Sequence, residues 1–146
     1  MLTTIRKTAI LESIVGRKDL FGDRVYLGLS STAPNPDGTN VTEPSGGGYG
    51  RVLVGLRGTS ETYKFGTVAD DAISNAVEIY FPESTGSWGA ALTHFVFYTS
   101  ATSKEASSVL AYGELTEGGV ATPVTVSVEK TVVMFRPGKL VVKFIE

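Results

Sequence analysis

From Arg24 onward, apolar and polar positions alternate in short runs. Val25, Leu27 and Leu29 fall on one side of Arg24–Ser30 with Tyr26, Gly28 and Ser30 on the other, and Val52, Val54 and Leu56 repeat the pattern, the period of a half-buried strand. Further strands are predicted at 75–81, where Val77, Ile79 and Phe81 share a side, and at 109–115, 123–128, 131–135 and 140–145, with 63–65 a weaker candidate. Residues 92–99, LTHFVFYT, are apolar on both faces, which predicts a central place in a sheet. Breaks fall at Gly118-Gly119, Glu129-Lys130 and Pro137-Gly138, and 131–135 and 140–145 read as a meander around the turn Arg136–Lys139. A helical period is confined to 2–15, with Leu2, Ile5, Ala9 and Ile14 near one stripe and Gly16 placed to end it. The stripe can cap the sheet or dock on a neighbouring subunit, and Ile5 and Ile14 are its candidates for the second role. A short N-terminal helix and about eight or nine short strands predict a mainly all-β fold, a β-sandwich of jelly-roll-like or related topology, in a single domain over 1–146.

Two stretches interrupt this rhythm. Ser30–Arg51 holds three of the six prolines and, at Gly46–Gly50, four glycines in five positions. A connection of roughly 20 residues between two strands is longer than compact domains favour, and such loops tend to carry contacts. The prolines and the Asp37-Gly38 pair predict a stiff, bent first half, and Gly46-Gly47-Gly48 admits backbone angles closed to other residues. A phosphate-binding loop is excluded, because Tyr49-Gly50-Arg51 leads into a strand and not into a helix with a Lys and a Ser or Thr. The loop is a candidate contact surface, with Pro34, Tyr49 and Arg51 its candidate residues. The second stretch, Phe81–Gly89, carries the single tryptophan, Trp88. Its ring either folds over the core as a lid with the ring N–H on a backbone carbonyl, or stands out as a platform for a sugar or a partner chain.

These two stretches carry a resemblance. VYLGLSSTAPNPDGTNVTEPSGGGYGRV, then FPESTGSWGAALTHFVFYTSAT, then LAYGEL resemble a family of small tailed-bacteriophage tail fibre or minor structural proteins. The shared elements fall at Leu2–Val15, Leu29–Pro34, Glu43–Arg51, Phe81–Gly89 and Thr93–Phe95. Gly50 stands where the family pattern has Ala, and 57–72 matches nothing in it. The resemblance implies a structural component of the virion, assembled in the host cytoplasm with other virion proteins, at a tail fibre, collar or other surface appendage.

Composition narrows the chemistry. A net charge of −2 gives no electrostatic footprint for nucleic acid, and no apolar run approaches a membrane span. Without cysteine there is neither a disulfide nor a thiolate metal site. His94 is the sole histidine and is read as bonded to backbone or a neighbouring side chain, no Gly-x-Ser-x-Gly elbow exists, and Asp70-Asp71 reads as a solvated turn. Asn35–Asn40 offers turn chemistry and not a calcium loop. The expectation is therefore a non-enzymatic protein without cofactor or metal. It forms a symmetric homo-oligomer, a trimer in the favoured form, held by burial of the loop and of Trp88, and is fixed to the particle by the helix or the loop. Its alternatives are a module for host-surface saccharide or receptor, and a capsid decoration protein.

Overall fold

The computed structural model describes residues 1–15, 24–56, 64–66, 68–70 and 72–143. Helix α1 (Thr4–Ile14) precedes strands β1 (Arg24–Ser30), β2 (Val52–Leu56), β3 (Ala72–Ser74), β4 (Ile79–Tyr80), β5 (His94–Tyr98), β6 (Val109–Glu114), β7 (Thr116–Glu117), β8 (Val120–Ala121), β9 (Met134–Phe135) and β10 (Val141–Lys143). The chain is mostly β, and among the described residues all ladders are antiparallel and one short α-helix stands at the N-terminal end.

The alternation in the sequence translates directly into the main sheet, ordered β2-β1-β5-β6. Leu27 stands opposite Phe97 and Leu29 opposite Phe95 on its inner face, and the doubly apolar β5 lies between β1 and β6 as its composition required. Against that face pack Ile79, Phe81, Trp88, Leu92, Val126 and Leu140 from the rest of the chain, closing the main core. Val96, Tyr98 and Val109 lie on the outer face and are buried too, with Tyr26, Val41 and Tyr112 around them. Something therefore covers the outside of the sheet.

Opposite the main sheet, the strands come as short pairs, β4 with β9 and β3 with β10, and β7 with β8 form a hairpin through Gly118-Gly119. Two continuous facing sheets are not seen among the described residues, so the jelly-roll-like order is not established. The expected meander of 131–135 and 140–145 is corrected: β9 and β10 pair with different strands. Asn75 divides them. Its Nδ2 donates to Val77 O and Arg136 O, both at 2.9 Å, and its Oδ1 accepts Leu140 N at 2.9 Å. The same side chain explains why strand β4 starts only at Ile79. It draws residues 76–77 into a bend and leaves Val77, expected inside, 46% exposed. Residues 123–128 form only a bridge, Val124 to Leu92. Tyr63 and 144–145, predicted as strand, lie outside the described residues; Phe65 bridges Asn75.

Residues 1–3 run along the open edge of β6. Leu2 bridges Ala111, and Thr3 N donates to Leu110 O at 3.2 Å. Helix α1 then leaves the sheet, its start tied to the long loop by Thr4 N donating to Pro36 O at 2.8 Å. Of its expected stripe, Leu2 packs on the core and Ile5 is exposed, while the side chains of Ala9 and Ile14 lie outside the described set.

Asn75 is 2% exposed and serves three backbone groups on separate segments. Asn75→Ala strands those groups and is expected to lower stability by about 3 kcal/mol, seen as a lower urea midpoint with unchanged slope.

Candidate functional site

The cover over the outer face of the sheet is the long loop 30–51. Its course is set by local chemistry. Ser30 Oγ accepts Thr32 N and Thr42 N, so the chain returns on itself at once. Asp37 Oδ1 accepts Thr39 N at 2.9 Å, closing the Asp-Gly turn, where Gly38 has φ +85° and packs so tightly on residue 106 that a Cβ would lie 2.5 Å from Ala106 O. This is the turn chemistry read at 35–40.

Beyond the turn the loop lays a charged pair over the sheet. Arg51 meets Glu43 in a two-pronged contact, Nε to Oε1 at 2.9 Å and Nη2 to Oε2 at 2.7 Å, with side chains only 3% and 9% exposed. The remaining guanidinium edges donate to Ser100 O and Ser103 O, each at 2.8 Å. Arg51 also stacks on Tyr98, its Cζ 3.4 Å from the ring centroid. Tyr49 completes the cluster: its hydroxyl donates to Glu43 Oε1 at 2.8 Å and accepts Leu29 N at 3.0 Å, just past the last β1–β2 pair. A close approach of this kind needs a floor without a side chain. Gly28 supplies it, since a Cβ there would lie 2.8 Å from Glu43 Oε1 and from Tyr98 Cε2. Burial alone would lower the Arg51 pKa, but its bonds and charge contact with Glu43 outweigh this and raise it. Burial first, and the Glu43 charge second, push the phenols of Tyr49 and Tyr98 upward.

The glycine run then clasps the second distinctive stretch. Gly46, Gly47 and Gly48 have φ of +85°, +60° and +76°, a left-handed run that other residues would strain to follow. It presents Gly47 O to two donors, Trp88 Nε1 at 2.8 Å and Thr85 N at 2.9 Å. Tyr49 meets the Trp88 ring edge-on at 5.2 Å between centroids, and Phe81 stacks with Tyr49 at 6.3 Å. Trp88 is 3% exposed. It is the lid, and not the platform.

Of the candidate contact residues, Trp88, Arg51 and Pro34 are buried within one chain and Tyr49 is half-buried, because the loop and the turn satisfy each other. Of the candidate interface residues whose side chains are described, Ile5 is the one the structure leaves outside, 43% exposed, while the side chain of Ile14 lies outside the described set. Glu43 and Gly28 were not singled out as site residues. The available signal was that Glu43 and Arg51 are opposite charges bracketing seven uncharged residues.

Other chemistry is sparse. His94 Nδ1 lies 2.8 Å from Thr93 Oγ1, Asp70 occupies a turn at φ +51°, and Asp71 lies outside the described residues. Among the described residues no three of His, Cys, Asp and Glu cluster, and no helix is long and apolar enough to cross a membrane. A cleft of about 290 Å³ lies beside the charged pair, walled by Gly38, Asn40, Lys104 and Val109, but Glu43 and Arg51 at its back are engaged with each other. Two apolar surfaces face outward. Helix α1 with the residue after it exposes Ile5, Leu11 and Val15, and the β4–β9 pair with the residues leading into β9 exposes Tyr80, Val132 and Met134.

Two expectations follow from the cluster. Glu43→Gln leaves a buried guanidinium uncompensated and should cost about 3–5 kcal/mol, whereas Glu43→Gln with Arg51→Met should cost less than the sum of the single changes, measured as a double-mutant cycle in urea. For the phenols, the unfolded chain ionises near pH 10 and the folded chain resists. Stability contributed by Tyr49 and Tyr98 is thus present below that pH and falls as pH rises above it. An alkaline titration followed at 295 nm should show these two of the six tyrosines ionising only as the protein unfolds.

Among curated proteins, none matches the chain. The family model of the podophage GP4 fiber I protein gp80 matches residues 2–142, from the edge residues on β6 through the start of β10 and so including the loop, the charged pair and the Trp88 clasp, and the chain belongs to that family.

Proposed function

We propose that this fibre-family protein is a structural subunit that docks on another virion protein through the exposed arc of α1 and associates with further copies of itself through its β surface. The family supplies the coarse role, a structural component of the phage particle. The observation that carries the docking reading is α1 itself. Ile5 and Leu11 are 43% and 66% exposed on an eleven-residue helix, and Val15 just past its end is 64% exposed; the helix is tied to the body at its start, where Thr4 N meets Pro36 O. A helix of this length is marginal alone in water, and laying its apolar side chains into a groove is a common way for such a helix to bind. The saccharide-binding alternative draws on exposed aromatics and polar loop groups at one end of the fold; with the Trp88 ring buried, it has no aromatic platform at that turn.

Leu11→Asp and Val15→Asp alter only the exposed arc, so the melting temperature should stay within the spread of wild type. Particles assembled with either variant should then lose most of the protein from the purified virion, read by immunoblot. Full incorporation of both variants would sink the docking role of α1. The native mass of the wild-type protein tests the self-association, including the oligomer number of three that the sequence suggested.

A further inference from the structure

The outer edge of β9 is open, and its geometry is set by the pairing with β4. Ile79 and Tyr80 stand opposite Phe135 and Met134, and Phe81 N donates to Val133 O at 2.9 Å. In an antiparallel pair, successive residues turn their N–H and C=O alternately toward and away from the partner strand. Val133 is turned toward 79–81, so the backbone groups of Val132 and Met134 point away from it. Among the described residues no strand pairs with this edge.

The side chains follow the same alternation. Val133 packs in the core with Ile79 and Phe81, while Val132, Met134 and Tyr80 share the outer face, 44%, 37% and 52% exposed. Thr131–Phe135, TVVMF, contains no charge, proline or glycine. It therefore lacks the charged and proline residues that blunt many exposed strand edges, and only its shortness protects it.

We propose that this edge is a self-association site, at which residues 131–135 of one chain, which hold β9, pair antiparallel with the same residues of a second copy about a two-fold axis through Val133. The occupant follows from complementarity. With Val133 on the axis, Val132 of each chain faces Met134 of the other. The groups that meet are those turned outward on both sides, giving about four hydrogen bonds between chains. The β4–β9 pairs then fuse into one four-stranded sheet whose outer face joins Tyr80, Val132 and Met134 of both copies. The strip itself is uncharged; past its ends the same axis sets Lys130 of each chain opposite Arg136 of the other, with Glu129 and Glu78 beside them as opposite charges. The area buried is roughly 400 Å² per chain, half of what a standard stable interface uses. The contact is thus weak between free chains and gains strength between copies held near each other on one particle, where effective concentration is high.

This inference rests on the self-association part of the proposed function, and the experiment separates the two. The full chain is run in sedimentation equilibrium from about 10 µM to about 1 mM, the range suited to a weak contact. The weight-average mass should climb from the chain mass of 15.5 kDa toward twice that value. Val132→Pro removes one outward N–H, and Met134→Lys places a charge on the exposed strip. Each should leave the melting temperature in place and weaken association at least tenfold, and Met134→Lys carries the test if the proline variant fails to fold. Leu11→Asp should associate like wild type. A monomer throughout the range overturns self-association and the edge together. An oligomer indifferent to Met134→Lys, or a mass settling at three chains, overturns the two-fold edge alone.

Discussion

A carboxylate and a guanidinium withdrawn from water cannot be held by each other alone, because every remaining lone pair and N–H must also find a partner. Glu43 and Arg51 meet that demand by recruiting three separate parts of the chain. The Tyr49 hydroxyl comes from the loop, the carbonyls of Ser100 and Ser103 from the connection after β5, and the Tyr98 ring from the sheet itself. The pair consequently decides where the loop lies, how close it comes to the sheet, and why residue 28 has no side chain. Loss of any one partner exposes the others to the cost of an unpaired buried group.

That constraint changes what the polar loop is. Rich in glycine, proline and serine, it has the composition of a solvated connection, yet it acts as a third layer over the outer face of the sheet. Its glycine run places one carbonyl under both the indole N–H and the backbone N–H of Thr85, so two segments far apart in sequence become one unit. With Trp88 and Tyr49 engaged inside, the apolar side chains left outward include the aliphatic ones of α1 and those beside the β4–β9 pair.

The main sheet was legible because β1, β2, β5 and β6 obey the two-residue period of a pleated surface, and β5 betrayed its central place by being apolar on both faces. The opposite layer was not, since its strands are short and their partners are chosen by the side chain of Asn75, an interaction that leaves no periodic trace. Gly118-Gly119 was visible as a break but serves as the turn of a hairpin. Tyr49, Arg51 and Trp88 stood out correctly as unusual residues. Their direction did not, because a ring with an apolar body and a polar tip suits a core next to a polar cluster as well as it suits an interface. The pairing of Glu43 with Arg51 across an uncharged run was the one clue that pointed inward.

The attachment of residues 1–3 to β6 has a consequence in time. Thr3 Oγ1 donates to the carbonyl of Val109, 106 positions along the chain, and β1 likewise waits for β5. Contacts this distant make for slow folding, since much chain must be ordered before any of them forms. Helix α1 is therefore fixed in place only when the strand it leans on has been made and has joined the sheet. A chain that stalls partway offers a loose helix in place of an oriented one, so the set of the helix reports that the body behind it is complete.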